Sequence, residues 1–189
     1  MSGSAKVQMD YKYIARLAGT LLAISAVTAL LLGLVNYVTA PIIEQIQAET
    51  KAAAMAAGLP ADEYTAVEGF TPTASVSGLY EAVSGGETVG YVAEVTSSGF
   101  GGAMSITVGV NADGTVSGVS VTDNSETQGV GSKVVGDQSV LDRFIGLGGT
   151  ITVNEGDNRF DAVTGATVSS KAVTAGVNAA LEAAAAYLQ

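Results

Sequence analysis

From Leu17 to Ile43 the chain carries no charged side chain, and the run Leu17–Val38 is dense in leucine, alanine, valine and isoleucine. Roughly 20 consecutive apolar residues suffice to carry a helix across a bilayer. A helix packed inside a soluble domain is rarely apolar all the way round. The stretch therefore predicts a transmembrane helix over 17–40, seated in the lipid bilayer. A cleaved export signal is the competing reading, but its apolar part would span only about 7–15 residues. Val38-Thr39-Ala40 loosely resembles a cleavage site, yet Pro41 follows directly and disfavours cutting. The expectation is an uncleaved, single-pass anchor.

Charge orients that anchor. Lys6, Lys12 and Arg16 stand against Asp10 ahead of the apolar run, and the basic flank stays in the cytoplasm. Residues 1–16 are thus expected inside, and everything after Ala40 outside the cell (inner) membrane. Beyond Arg16 there are five Lys and Arg against seventeen Asp and Glu, so the acidity falls on the exported side. The net charge of −10 argues against nucleic acid, which needs a basic face. The chain has no Cys, His or Trp. That excludes thiolate and imidazole metal sites, cysteine-held iron–sulfur clusters, Ser-His-Asp triads and cysteine nucleophiles. Chemistry is left to carboxylates, hydroxyls, Lys and Arg, the backbone, or a bound cofactor.

Residues 41–77 read as a stalk helix and connector. Pro41 suits a helix start, and Gly58-Leu59-Pro60 suits its end. Ala61–Ser77 is mixed and turn-rich. The rest, 78–189, predicts an α+β domain. Leu79–Val83, the turn Ser84-Gly85-Gly86-Glu87, and Thr88–Thr96 read as two strands. Ile106, Val108 and Val110 alternate onto one face, Asp113-Gly114 makes a hairpin turn, and Val116, Val119 and Val121 follow. This is an antiparallel meander that needs a helix over its apolar face. Ser139–Ile145 predicts a short helix. Ile151–Val153 and Arg159–Val163 predict short strands around a solvated turn with no spaced calcium ligands. The final helix is expected over Val168–Tyr187. Val173, Val177, Leu181, Ala184 and Leu188 form its buried stripe, with Lys171, Thr174, Asn178 and Glu182 opposite.

That helix begins in Asp161–Ser170, which reads D-A-V-T-G-A-T-V-S-S. Hydroxyls there can cap free helix N–H groups. The same N–H groups and the positive end of the helix dipole can hold a phosphate. Two upstream stretches are rich in glycine. Ser98-Gly99-Phe100-Gly101-Gly102-Ala103 lies between strands, and Ser125-Glu126-Thr127-Gln128-Gly129-Val130-Gly131-Ser132-Lys133 follows the meander. Each alone is a surface turn.

In this order the three resemble the FMN-binding domain family, found in the G subunit of Rnf electron-transport complexes and the C subunit of sodium-pumping NADH:quinone reductases. Thr164-Gly165-Ala166-Thr167-Val168-Ser169 matches the family's S/T-G-A-T-x-S/T motif. In that motif the last Thr carries FMN through a phosphoester, which implies covalent FMN on Thr167. The first stretch is similar to G-Y-G-G-P, with Phe100 for Tyr and Ala103 for Pro. The second is similar to E-T-P-G-L-G, with Gln128 for Pro and Val130 for Leu.

The resemblance implies a cofactor site. Glu126 and Thr127 would bond polar edges of the flavin ring, and Val130 would pack on its face. Gly101 and Gly129 would let backbone approach closely. Lys133 would sit near the phosphate or the ring's electron-rich edge. Thr164, Gly165 and Ala166 form the turn before Thr167, and Asp161 and Thr164 would orient it. Ser169 and Ser170 are expected as caps. No residue is expected to act as a catalytic acid or base. With no His or Cys to activate Thr167, a separate flavin transferase is expected to install the cofactor.

The implied role is a non-catalytic redox subunit. It would relay electrons within a membrane ion-translocating ferredoxin:NAD+ oxidoreductase complex, beside that complex's other membrane subunits. The alternatives are the C subunit of a Na+-translocating NADH:quinone reductase, a non-redox exported binding module tethered to the membrane, and a flavin enzyme with its own substrate.

Overall fold

The computed structural model describes residues 11–188. The expected cytoplasmic segment 1–16 lies largely outside them. The chain forms two compact units, one up to Ala48 and one from Glu49. The first is the apolar part of helix α1 (Tyr11–Gly58), which continues into the second unit. Its most apolar 18-residue window has a mean hydropathy of 2.2, and none of that window is buried. The helix is long and apolar enough to cross a membrane. Pro41 does not start a new helix but sits inside this one. There it removes one ladder N–H. The Thr20, Thr28 and Thr39 hydroxyls bond back to carbonyls three or four residues earlier, so their polar groups are satisfied within the helix.

The second unit is built on a five-stranded antiparallel sheet of β1 (Glu63–Ala66), β2 (Val76–Ser84), β3 (Glu87–Ser98), β4 (Ala103–Asn111) and β5 (Val116–Asn124), in sequential order. The expected meander is present with one strand more. Glu63–Ala66, within the stretch read as a connector, pairs with β2 from Glu63↔Val83 to Ala66↔Tyr80. Gly85 and Gly86 have φ of +59° and +87°, the two positive angles of a tight hairpin turn.

One face of the sheet carries Leu79, Ala93, Val95, Ile106, Val108 and Val119. Helix α4 (Thr167–Ala185) lies on it, burying Val173, Val177, Ala180, Leu181 and Ala184. Each fully buried valine or leucine stabilises by about 1.5–3 kcal/mol. Ser97 Oγ donates to the Ala172 carbonyl at 2.7 Å and fixes the helix along β3. Two residues assigned by polarity to the solvent side of this helix face inward instead. Thr174 is buried, its hydroxyl donating to the Ser170 carbonyl at 2.9 Å. Asn178 is half-buried, and its amide exchanges two hydrogen bonds with the Ile151 backbone. Both are satisfied locally, which permits burial.

The opposite face is not bare. Met55 and Leu59, at the end of α1, pack with Ala82 and Val92. Gly58 lies so close to the sheet that a Cβ on Gly109 would stand 2.1 Å from its carbonyl oxygen. Lys51 Nζ reaches Glu94 Oε1 at 2.8 Å and the Tyr80 hydroxyl at 2.8 Å, pinning the same helical end.

Beyond the sheet, α2 (Ser132–Val135), α3 (Gln138–Leu141) and a 3-10 turn (Asp142–Phe144) close one end of the core. The expected helix over Ser139–Ile145 is thus split in two. β6 (Thr152–Val153) and β7 (Arg159–Phe160) form a small parallel pair. Phe160 stacks on Phe144 with ring centroids 4.2 Å apart.

Candidate functional site

Helix α4 is entered through a tight turn. Ala166 N–H donates to the Val163 carbonyl at 2.9 Å, and Gly165 between them has φ +82°. A four-residue turn with a positive angle at its third residue has type II character, and that position calls for glycine. The first helical hydrogen bond runs from Ser170 N–H to the Ala166 carbonyl at 2.9 Å. The N–H groups of Thr167, Val168 and Ser169 therefore have no partner within the helix. No side chain caps this end.

Ser169 and Ser170, expected as caps, do other work because both lie on the buried side. Ser169 Oγ donates to Glu126 Oε2 at 3.0 Å. Ser170 Oγ accepts the Val163 N–H at 3.1 Å and ties the turn to the helix. Of the hydroxyls in the stretch, Thr164 and Thr167 are exposed while Ser169 and Ser170 are fully buried.

Three separate parts of the chain meet here. A cavity of about 340 Å³ is lined by Phe100, Val130, Gly165, Ala166, Thr167, Val168 and Ser169. Among the described residues no charged side chain lines it. Phe100 (64% exposed), Val168 (53%) and Val130 (37%) leave its mouth open and apolar. A flat, mostly apolar ring fits such a cleft. The unpartnered N–H groups and helix dipole at its edge suit an anion.

The other expected site residues take up supporting places. Gly101 packs against the second loop, where a Cβ would meet the Ser125 carbonyl at 2.3 Å. Glu126 does not line the cavity; its carboxylate lies behind it, between Gly99 and Gly131. Thr127 is exposed, and its carbonyl accepts the Val130 N–H at 3.2 Å. Gly129, at φ +80°, donates to Ser132 Oγ at 2.9 Å. Lys133 is exposed on α2 and is not among the lining residues. Asp161 is paired with Arg159 Nε at 2.9 Å. Phe100, Val168 and Ser169 line the cavity, although their positions in the motifs do not mark them as ring contacts. For Phe100 the available signal is its place among glycines, since an exposed aromatic in such a loop has nothing of its own to pack on.

The FMN-binding domain model matches residues 99–182, which begin at the glycine loop and end in α4. The chain is 35% identical over 159 residues to the G subunit of the Na(+)-translocating ferredoxin:NAD(+) oxidoreductase complex of Acetobacterium woodii, covering 77% of this chain and 76% of that protein. The chain belongs to the G-subunit family of these oxidoreductase complexes. Another relative is the G subunit of the ion-translocating oxidoreductase complex of Cereibacter sphaeroides, 34% identical over 149 residues, covering 72% of this chain and 66% of that one. This G-subunit fold also resembles the crystal structure of the C subunit of Na(+)-translocating NADH-quinone reductase from Parabacteroides distasonis. The TM-score is 0.51 at 20% identity, covering 59% of this chain and 62% of that chain. At that identity the likeness concerns the fold.

Proposed function

We propose that this chain is an electron-transfer subunit of a membrane ion-translocating oxidoreductase complex of the ferredoxin:NAD+ type, and that it carries FMN on Thr167 through a phosphoester. The observation that carries this reading is the position of Thr167: it is an exposed hydroxyl beside unpartnered helix N–H groups, on the rim of an apolar cavity built from all three motif stretches. FMN supplies one- and two-electron transfer, chemistry that no side chain here offers.

The residues divide the work. The N–H groups of Thr167, Val168 and Ser169 face the phosphate, while Phe100, Val130 and Val168 shield the ring from water. The Gly165 turn holds the linkage at the start of the helix, and Thr164, Gly101, Thr127, Gly129 and Asp161 support the loops around it. Lys133 on α2 supplies positive charge near the site without lining it. The bond to be made joins Thr167 Oγ1 to the flavin-side phosphorus of an activated flavin dinucleotide; the phosphoanhydride bond breaks, the other nucleotide leaves as its monophosphate, and something must take the hydroxyl proton. Among the described residues no charged side chain lines the cavity, and the sequence has no His. A separate flavin transferase therefore makes the bond.

In the proposed topology, 17–40 spans the membrane, 41–77 forms the stalk and connector, and 78–189 is the FMN-binding domain outside the cell membrane. The basic residues before Leu17 stay inside. The partners are the other membrane subunits of the complex.

The test is expression with and without a flavin transferase, followed by denaturation and in-gel flavin fluorescence. Wild type should give a band only with the transferase. Thr167→Ala should abolish it and Thr164→Ala should keep it. A fluorescent band that persists in Thr167→Ala refutes the attachment site. Absence of flavin from protein isolated with its complex refutes the electron-transfer role.

A further inference from the structure

Glu126 is the side chain on which the three loops meet, although it does not line the cavity. Its Oε2 accepts a hydrogen bond from Ser169, in the first turn of α4. A Cβ on Gly99 would stand 1.7 Å from Oε1, and one on Gly131 would stand 1.8 Å from Oε2. The carboxylate therefore occupies space that only glycine leaves free on both sides. Oε1 is shielded from solvent and has no hydrogen-bond partner among the described residues. Leaving such an oxygen buried and unpaired opposes folding. For filling space alone, an apolar side chain of similar size would serve the fold better.

What the carboxylate holds is specific. Gly99 precedes Phe100, Gly131 follows Val130, and Ser169 lies two residues beyond Thr167. Each residue it grips is a near neighbour of one that faces the cavity. A hydrogen bond on the buried side of the α4 first turn fixes that turn's rotation, and so fixes which way Thr167 points.

We propose that Glu126 is the positioning residue of this site: its carboxylate locks the Gly99 loop, the 125–131 loop and the first turn of α4 into one register. Thr167 and the apolar wall of Phe100 and Val130 then open onto the same cavity. The proposal rests on the reading of that cavity as the flavin site.

The test uses the full chain in detergent, first without flavin. Hydrogen exchange followed by mass spectrometry compares wild type with Glu126→Ala, Glu126→Gln, and Val177→Ala as a control for general core loss. Glu126→Ala should speed exchange in 99–104 and 163–170 about tenfold, the scale of one lost hydrogen bond to a charged group. β2 and β3 should exchange as in wild type. Glu126→Gln, whose carbonyl can still accept from Ser169, should restore both segments. Val177→Ala should speed exchange across the domain. With a transferase present, the initial rate of flavin attachment to Glu126→Ala should fall about tenfold, and the visible circular dichroism of the attached ring should weaken. Glu126→Gln should again recover.

Unchanged exchange in both segments overturns the proposal, as does a rise spread over the domain as in Val177→Ala. Loosened loops with wild-type attachment also overturn the positioning role. If Glu126→Ala does not fold, Ser169→Ala decides the matter, because it removes the same hydrogen bond without opening the glycine slot. It must then loosen 163–170 and slow attachment. A wild-type chain that takes no flavin sinks the reading of the cavity and leaves the exchange pattern to judge Glu126.

Discussion

Replacing Gly165 isolates what the turn before α4 contributes. Its φ is +82°, and a Cβ built there meets nothing within 4 Å. An alanine therefore meets no clash, and its whole penalty is conformational, about 1–2 kcal/mol for an L-residue held in the left-handed region. That is roughly a 5- to 30-fold fall in the population of this turn. The domain should stay folded, with its melting temperature lowered by about a few degrees. The turn, however, sets the Ala166 N–H to Val163 contact and the start of the helix. If the helix start positions the acceptor hydroxyl, flavin attachment by the transferase should slow by about the same 5- to 30-fold. Side chains differ in how well they tolerate positive φ: asparagine does so best after glycine, and β-branched residues worst. Initial attachment rates should therefore fall in the order Gly165, Asn, Ala, Val, with circular dichroism melts following the same order. Equal rates for glycine and valine, or asparagine worse than alanine, would refute this account of the turn.

Two further predictions concern the scaffold. Gly109→Ala places a Cβ 2.1 Å from the Gly58 carbonyl oxygen, and should destabilise the domain by about 1–3 kcal/mol through overpacking. A matching change at Gly129 meets no atom but sits at φ +80°, so in the same urea titration it should show only the conformational cost of about 1–2 kcal/mol argued for Gly165. The exposed carboxylates of Asp62, Asp113 and Asp137 are held below the ordinary value by hydrogen bonds, chiefly from Gly85 N–H, the Thr115 hydroxyl and the Ser139 hydroxyl respectively. Their folded values lie below their unfolded ones, so they stabilise above about pH 4 and lose that contribution as pH falls through the folded values. Asp137→Asn should flatten the acid limb of stability against pH, and an unchanged slope would count against it.

Much of this architecture is legible because it rests on period and contrast. The uncharged run from Leu17 marks α1. The alternation at Ile106, Val108 and Val110 marks β4, and the 3–4 spacing from Val173 marks α4. What escapes has low contrast. The end of α1 and the residue after it pack through Met55, Gly58 and Leu59 onto Ala82, Val92, Gly109 and Gly118. These are mostly small residues, and glycines in a strand read as weak points rather than as seats for a helix. Glu63–Ala66 is too short to show alternation. Polarity alone misplaces Thr174 and Asn178, and Ser170 is a buried tie rather than the expected cap, since each is satisfied by a backbone partner visible only after folding. Glu126 illustrates the same limit at the site. A carboxylate in a glycine-rich loop suggests a ligand contact, but its surroundings are two glycines from different loops and a serine on α4.

The proposed choice of Thr167 as acceptor, by contrast, agrees with the phase of the helix. Residues on one face of a helix recur every three or four positions. Thr167, Lys171, Ala175 and Glu182 are exposed along one ridge of α4, while Ser169, Ser170, Val173, Val177, Ala180 and Ala184 are buried along the other. Lys171 and Glu182 mark the solvent ridge by charge alone, and Thr167 stands four residues before Lys171. The two serines fall on the apolar stripe and are out of reach of an external enzyme. Under the proposed attachment, the pattern that packs α4 on the sheet therefore also leaves Thr167, and neither serine, open to the transferase. Moving a threonine to position 169 in a Thr167→Ala background should not restore attachment, because the side chain there is fully buried and its hydroxyl is held by Glu126.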